Sequence, residues 1–301
     1  MKNKSKVLAG ILCLSLFAAM AIGSGSSGED KDVSNVGPAN GAEDGSSEGS
    51  DSSDAVTIEE QVLYDDNNIK ITATGLEDGW MGTELKLLIE NNSDKSVTVQ
   101  ARNANVNGFM VSTIMSADVA AGKKANDSLT FETSGLKDCG IESIATMEFY
   151  FYIFDTETGD EIASSDVITI DTSIASTYVQ EVDDSGDVLV DSNDVKIIAK
   201  GLSADDSFWG PGVILYIENN SGENITVQVR DVSVNGFMVD STMSEDVVAG
   251  KKAMSAVQFF STDLDENSIT DITDVELYFH IFQQENWDTI FDSDIITISF
   301  E

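Results

Sequence analysis

Two cysteines, two prolines and a single histidine in 301 residues leave little of the usual catalytic inventory. Cys13 lies in the N-terminal apolar run, so Cys139 has no partner for an intrachain disulfide in an exported chain, and core packing must hold the fold. Zinc sites built on paired His or Cys are excluded by the same count. One histidine, His280, allows at most one Ser-His-Asp arrangement, and the matching position earlier in the chain is Tyr152. Basic residues are also scarce: 16 Lys and Arg face 54 Asp and Glu, for a formal charge of −38. Nucleic acid is an unsuitable partner for such a surface, since phosphate neutralisation needs clustered Lys and Arg. With so few prolines, turns must rely on Gly, Asn, Asp and Ser.

What is present begins with an export signal. Lys2, Lys4 and Lys6 precede an apolar run over Val7–Ile22, and small residues follow in "AAMAIGSGSSG". The run is short for a spanning helix, and cleavage after Ala21 or Gly23 fits the pattern. Residues 1–23 are therefore expected to be a signal peptide. The cut chain would be extracellular or at the cell surface, with no stable membrane insertion. Residues 24–57 hold nine Ser, six Gly, eight acids and one Lys, a composition with too little to bury, which predicts a disordered acidic linker.

The remainder repeats itself. "VNGFMV" occurs at Val106–Val111 and Val234–Val239, an offset of 128 that holds from Ile89–Ile170 onto Ile217–Ile298 with 41 of 82 positions identical. Within each copy the apolar period is two, as in "IKITATG", "VTVQARNANV" and "TMEFYFYIF", and no helical period is convincing. Asn107-Gly108 and Asn235-Gly236 are hairpin signals, because both residue types accept the positive φ of a type I′ turn. About eight short strands per copy predict an all-β chain. These are expected to form two tandem antiparallel β-sandwich domains, repeat 1 at 58–172 and repeat 2 at 188–301, joined by a linker at 173–187.

Candidate binding residues are aromatic. Met147, Phe149, Phe151 and Ile153 should face a core, which leaves Glu148, Tyr150, Tyr152 and Phe154 on the other face; Tyr278 and His280 repeat this arrangement. Glu148 and Glu276 are expected to pair with Arg102 and Arg230, the two arginines of the chain. "GWMG" with Trp80 and Met81, and "FWGPG" with Phe208 and Trp209, place large apolar residues in glycine-flanked loops. Such rings stack on a sugar or a protein partner, or else fold back to close the end of a sandwich. The acidic strings Asp155–Glu161 and Asp183–Asp194 offer oxygens for weakly held Ca²⁺, though solvated turns are the better account of them and no EF-hand spacing is present. "AAGKKA" lacks the glycine spacing of a phosphate loop. No metal site or cofactor is expected.

The signal, acidic stalk and tandem "IENNS…TVQ…VNGFMV…AGKKA" pattern resembles uncharacterised immunoglobulin-like repeats in exported proteins and lipoproteins of Gram-positive bacteria. Ser24 stands where a lipoprotein would carry its lipidated cysteine. The resemblance implies a β-sandwich and a secreted or surface location. The functional expectation is a non-enzymatic extracellular binding or adhesion module for an unknown protein or glycan ligand. The alternative is a structural spacer with no ligand of its own; a Ca²⁺-stabilised tandem or an enzyme comes after these.

Overall fold

Alternation of apolar and polar residues predicts strands with one buried face, and the computed structural model, which describes residues 55–203 and 211–300, is built this way. Repeat 1 runs β1 (Gln61–Asp66), β2 (Ile69–Asp78), β3 (Gly82–Asn91), β4 (Val97–Val106), β5 (Phe109–Met110), β6 (Thr113–Ile114), β7 (Ala117–Val119) and β8 (Lys123–Glu132). It continues with α1 (Thr133–Asp138), β9 (Thr146–Asp155), β10 (Glu161–Ser164) and β11 (Ile168–Asp171). Repeat 2 gives the same succession: β12 (Asp187–Ser192), β13 (Val195–Leu202), β14 (Gly212–Asn219), β15 (Ile225–Val234), β16 (Phe237–Met238), β17 (Ser241–Thr242), β18 (Ser244–Val247) and β19 (Lys252–Phe259). Then come α2 (Ser261–Glu266), β20 (Asp274–Gln283), β21 (Thr289–Asp292) and β22 (Ile296–Ser299).

In repeat 1, β1-β2-β3-β8-β6 form one sheet, and β10-β9-β4, with β5, β7 and β11 at its edges, form the facing one. Ile69, Ile71, Leu85, Leu87, Ile89, Leu129 and Phe131 from the first sheet meet Val97, Val99, Met147, Phe149, Phe151 and Ile153 from the second. Repeat 2 packs a separate core from the matching residues, among them Ile197, Leu215, Ile217, Val227, Phe259, Phe279 and Ile281. The architecture is thus an all-β antiparallel sandwich. The strands outnumber the eight expected because the edges are broken: β5 and β7 share the edge of β4, and β10 and β11 share that of β9. Helices α1 and α2 are a departure from the sequence reading. Each is six residues long and buries one leucine, Leu136 or Leu264, which is too short for a period to show.

Both Asn-Gly turns have the expected left-handed backbone, with φ of 51° and 85° at Asn107 and Gly108 and of 49° and 80° at Asn235 and Gly236. The asparagines do more than turn. Asn107 Oδ1 accepts the N–H groups of Ala145 and Thr146, and its Nδ2 donates to the Ser143 carbonyl and Gln180. Asn235 lashes the loop before β20 likewise, through Asp271, Thr273 and Asp274.

The "IENNS" motif has a core purpose. Asn91 and Asn219 are fully buried, and each Nδ2 donates to two carbonyls: Lys95 and Val119 in repeat 1, Glu223 and Val247 in repeat 2. Each Oδ1 accepts from the N–H and hydroxyl of the serine two residues on, Ser93 or Ser221. All four hydrogen-bonding capacities are used, so the amide pins the following strand and the strand before the Lys-Lys turn to one point.

The repeats share a sheet. The first hairpin places Phe109 beside Lys252, the one parallel pair among the described residues, and the Lys252 N–H donates to the Gly108 carbonyl at 2.9 Å. Phe109 is buried edge-on against Tyr216, at 6.4 Å between ring centres, and Ile198 and Met254 complete the seat. Lys251 pairs with Glu148 across the same contact. Residues 172–186 link the repeats covalently and are held down at several points: Ser173 N–H to Thr57, Gln180 to Asn107 and Gly140, and Asp183 to Lys200.

Changing Asn219 to Leu removes the amide donor from the buried Val247 carbonyl and leaves the Glu223 carbonyl with only the Ser221 hydroxyl. The expected loss is about 3 kcal/mol in urea unfolding, matched by Asn91→Leu, while Ser221→Ala costs about 1 kcal/mol. Equal midpoints for wild type and Asn219→Leu would show that the bracket is dispensable.

Candidate functional site

The outer face of the β4–β9 sheet carries the rings expected from alternation. Tyr150, Tyr152 and Phe154 are half-buried, with Tyr152 and Phe154 at 5.6 Å. Arg102 does not pair with Glu148. Asn103 takes a φ of 51° and the register shifts after Arg102, which puts Asn105 rather than Arg102 opposite Glu148. The Arg102 guanidinium instead lies 3.8 Å above the Tyr152 ring, a cation–π contact. The same bulge occurs in repeat 2, where Arg230 bonds Gln228 and the Val229 carbonyl instead of Glu276.

Repeat 2 builds a different surface on this face. Tyr278 and His280 occupy the expected positions, and the His280 ring lies 5.2 Å from Phe282. His280 Nδ1 sits 2.6 Å from Asp292, where repeat 1 has Tyr152 and Ser164 at the matching positions. Trp287 stacks on Phe282 at 5.5 Å and 14°, covering Phe282 while remaining 69% exposed itself. The indole is carried by the loop between β20 and β21, closed by Gln283 N–H to Asp288 and Trp287 N–H to Gln283. Trp287 has a φ of 65°, and the equivalent residue in the equivalent turn is Gly159, with a φ of 76°. A bulky side chain in the left-handed region is strained, whereas glycine there is not. Three differences between the repeats therefore fall on one hairpin: His280 for Tyr152, Trp287 for Gly159 and Asp292 for Ser164.

The sequence reading did not single out Trp287. The signal was there, in a tryptophan aligned with a turn glycine of the other copy. Trp80, at the β2–β3 turn, is 90% exposed, and Met81 beside it is half-buried with its carbonyl accepting from Thr133 N–H. Phe208 and Trp209 lie outside the described residues.

Cys139 sits at the end of α1, buried, with its thiol toward the Met110 carbonyl, and burial pushes it up to about 12. It stays a thiol at neutral pH, which removes the nucleophilic form. Among the described residues no three His, Cys, Asp or Glu side chains are grouped so as to hold a metal ion. In the two acidic strings Asp155 is engaged by Lys95, which holds its carboxyl below the usual range, and Asp183 is held low by Lys200 and Ser185. No described helix is long and apolar enough to cross a membrane.

Beside the seated hairpin lies a cleft of about 300 Å³ between the repeats, lined by Arg102, Met110, Asp138, Cys139, Glu245 and Asp246 among others. Glu245 replaces Ala117 of the first repeat. Its carboxyl is pushed up to about 7, chiefly by burial and also by Asp246, while a hydrogen bond from Ser255 acts in the opposite sense.

The sequence matches no family model and no curated protein. Among solved structures it is similar to the YadV chaperone, at 9% identity over 72% of this chain and 92% of that one, with a TM-score of 0.23. Red sea bream transglutaminase gives 8% identity, 80% and 31% coverage and a TM-score of 0.20. A protein of unknown function from Porphyromonas gingivalis W83 gives 8%, 78%, 92% and 0.18. These scores carry no argument about function; the fold assignment stands on strand register and core.

Because the Glu245 carboxyl lies above the ordinary carboxylate value in the folded chain, its contribution is full below pH 4.5 and lost as pH rises through about 7. Melting temperatures of Glu245→Gln and wild type should coincide near pH 4.5. By pH 8 the variant should melt a few degrees higher. A difference that is flat with pH would show that the carboxyl is not buried.

Proposed function

We propose that the chain is an exported, non-enzymatic binding or adhesion module, and that it engages its ligand through the outer face of the second repeat. The observation that carries this reading is Trp287: an exposed indole, stacked on Phe282, in a backbone conformation that the other repeat assigns to glycine. Left-handed backbone costs a side chain about 1–2 kcal/mol, and ring stacking returns about 0.5–1.5 kcal/mol. Folding gains little from this exchange, so recognition is the better account of the residue. Strain of this sort concentrates at ligand sites.

The chemistry around the indole favours a glycan over a flat apolar partner. A flat ring for the sugar's C–H face is bordered by amides and charges at Gln228, Arg230, His280, Gln283, Asn286 and Asp292, several already hydrogen-bonded to one another. A few placed polar groups around an apolar floor are the usual composition of a small-molecule site. Secretion and surface display belong to the same proposal, supported by the N-terminal apolar segment and the acidic Ser/Gly-rich stretch after it. A spacer without a ligand is the second reading, and the shared sheet favours it, since it couples the two repeats through backbone as well as side chains.

The test is a glycan array followed by titration calorimetry on any oligosaccharide retained, with wild type, Trp287→Gly and Trp80→Phe. Trp287→Gly should keep its urea midpoint within about 1 kcal/mol of wild type, since lost stacking and relieved strain oppose one another. It should also bind about tenfold more weakly or worse, with Trp80→Phe unaffected. A wild type that retains no glycan, or a Trp287→Gly variant that binds as well, would leave the spacer reading in its place.

A further inference from the structure

The hexapeptide that seats repeat 1 on repeat 2 is present again in repeat 2, and among the described residues nothing covers its Phe237 and Met238. Phe109 is 3% exposed, whereas Phe237 is 49% and Met238 65% exposed. Both turns have the same backbone conformation, so the difference lies in occupancy of the hairpin and not in its shape. Two adjacent large apolar side chains left open at a sheet edge mark an interaction surface.

We propose that this second hairpin seats on the first repeat of another copy of the chain, head to tail, reproducing the contact found within the chain. The receiving features of repeat 2 have counterparts in repeat 1. Lys252, whose N–H donates to the Gly108 carbonyl, corresponds to Lys124, and along the first part of β8, Lys123–Leu129, β3 is the only partner strand among the described residues. Tyr216, the seat of Phe109, corresponds to Leu88, which is half-buried and paired with Thr72 as Tyr216 is with Ile198. The ion pair Lys251–Glu148 has its counterpart in Lys123 and Glu276, both exposed. A Glu276–Lys123 pair between copies and a Gly236 carbonyl on the Lys124 N–H complete the match.

The seat is more polar than the intrachain one, because Thr72 and Asn126 stand where Ile198 and Met254 do. It also lacks the covalent link that raises effective concentration within the chain. Association is therefore weaker than the internal contact and set by protein concentration. The donating and receiving surfaces differ, so the contact is heterologous and repeats from one copy to the next.

The experiment is sedimentation velocity on the chain lacking residues 1–23, at roughly 0.15 M salt, where the screening length is about 8 Å and tempers the repulsion between acidic copies. Wild type should show a weight-average mass that climbs with concentration over the micromolar to millimolar range. Phe237→Asp, an exposed position whose folding is checked by circular dichroism, should remain monomeric. Lys123→Glu and Glu276→Lys should each associate weakly, and an equimolar mixture of the two should regain wild-type association, because every contact between unlike copies then pairs opposite charges. A wild type that stays monomeric overturns the proposal, as does a Phe237→Asp variant that associates unchanged. Undiminished association of Lys123→Glu, the mark of hairpin meeting hairpin, also overturns it, and so does a mixture no stronger than its components.

Discussion

The seating of Phe109 against Tyr216 is the contact on which the joint arrangement of the two repeats depends. Without it each sandwich would still have its own core, since Val97, Val99, Phe149 and Ile153 belong to the first cluster and Ile197, Leu215, Phe279 and Ile281 to the second. With it, Ile198 and Tyr216 of the second repeat join the core of the first, and the backbone bond to Lys252 runs one sheet into the next. The cleft holding Arg102, Cys139 and Glu245 exists because this hairpin is down. A two-residue strand, β5, thereby has consequences out of proportion to its length.

Around that contact the two copies divide into parts kept alike and parts allowed to differ. Asn91 and Asn219 make matching four-bond brackets, and Asn107 and Asn235 lash equivalent loops; these positions serve the sandwich itself. Two groups of differences change the surface. One is on the outer face near β20, where His280, Asp292 and Trp287 replace Tyr152, Ser164 and Gly159. The other is on the sheet face that receives the hairpin, apolar in repeat 2 and mixed in repeat 1. A duplicated scaffold can change such surfaces while its buried amides and core stay as they are, since surface substitutions away from caps and networks cost little stability.

Strand alternation carried most of the fold: the buried set Met147, Phe149, Phe151, Ile153 and its counterpart follow directly from period two, and both Asn-Gly turns follow from their tolerance of positive φ. Local irregularity was the part that alternation could not reveal. A one-residue left-handed kink at Asn103 or Asp231 shifts the register, which undid the expected Arg–Glu pairs and sent Arg102 over Tyr152. The six-residue helices were invisible because one buried leucine makes no pattern. Of the candidate binding residues, Trp80 is open to solvent, while Tyr150, Tyr152, Tyr278 and His280 are half-covered by their own neighbours. Trp287 escaped notice because it sits in a polar loop, and its meaning depends on a backbone angle that composition does not report.

The segment from Thr172 to Gly186 runs beside the hairpin contact as a second connection between the repeats. When the chain is pulled from its two ends, load is shared between this tied-down segment and a seat closed by one backbone bond, the Lys251–Glu148 pair and the Asn103–Gln284 amides, with each sandwich held by whole ladders. The seat is the fuse. Once it slips and the ties at Gln180 and Asp183 release, fifteen residues can straighten to about 50 Å. The molecule then lengthens along this tether while both cores stay folded, and rejoining returns Phe109 to Tyr216 and Lys251 to Glu148.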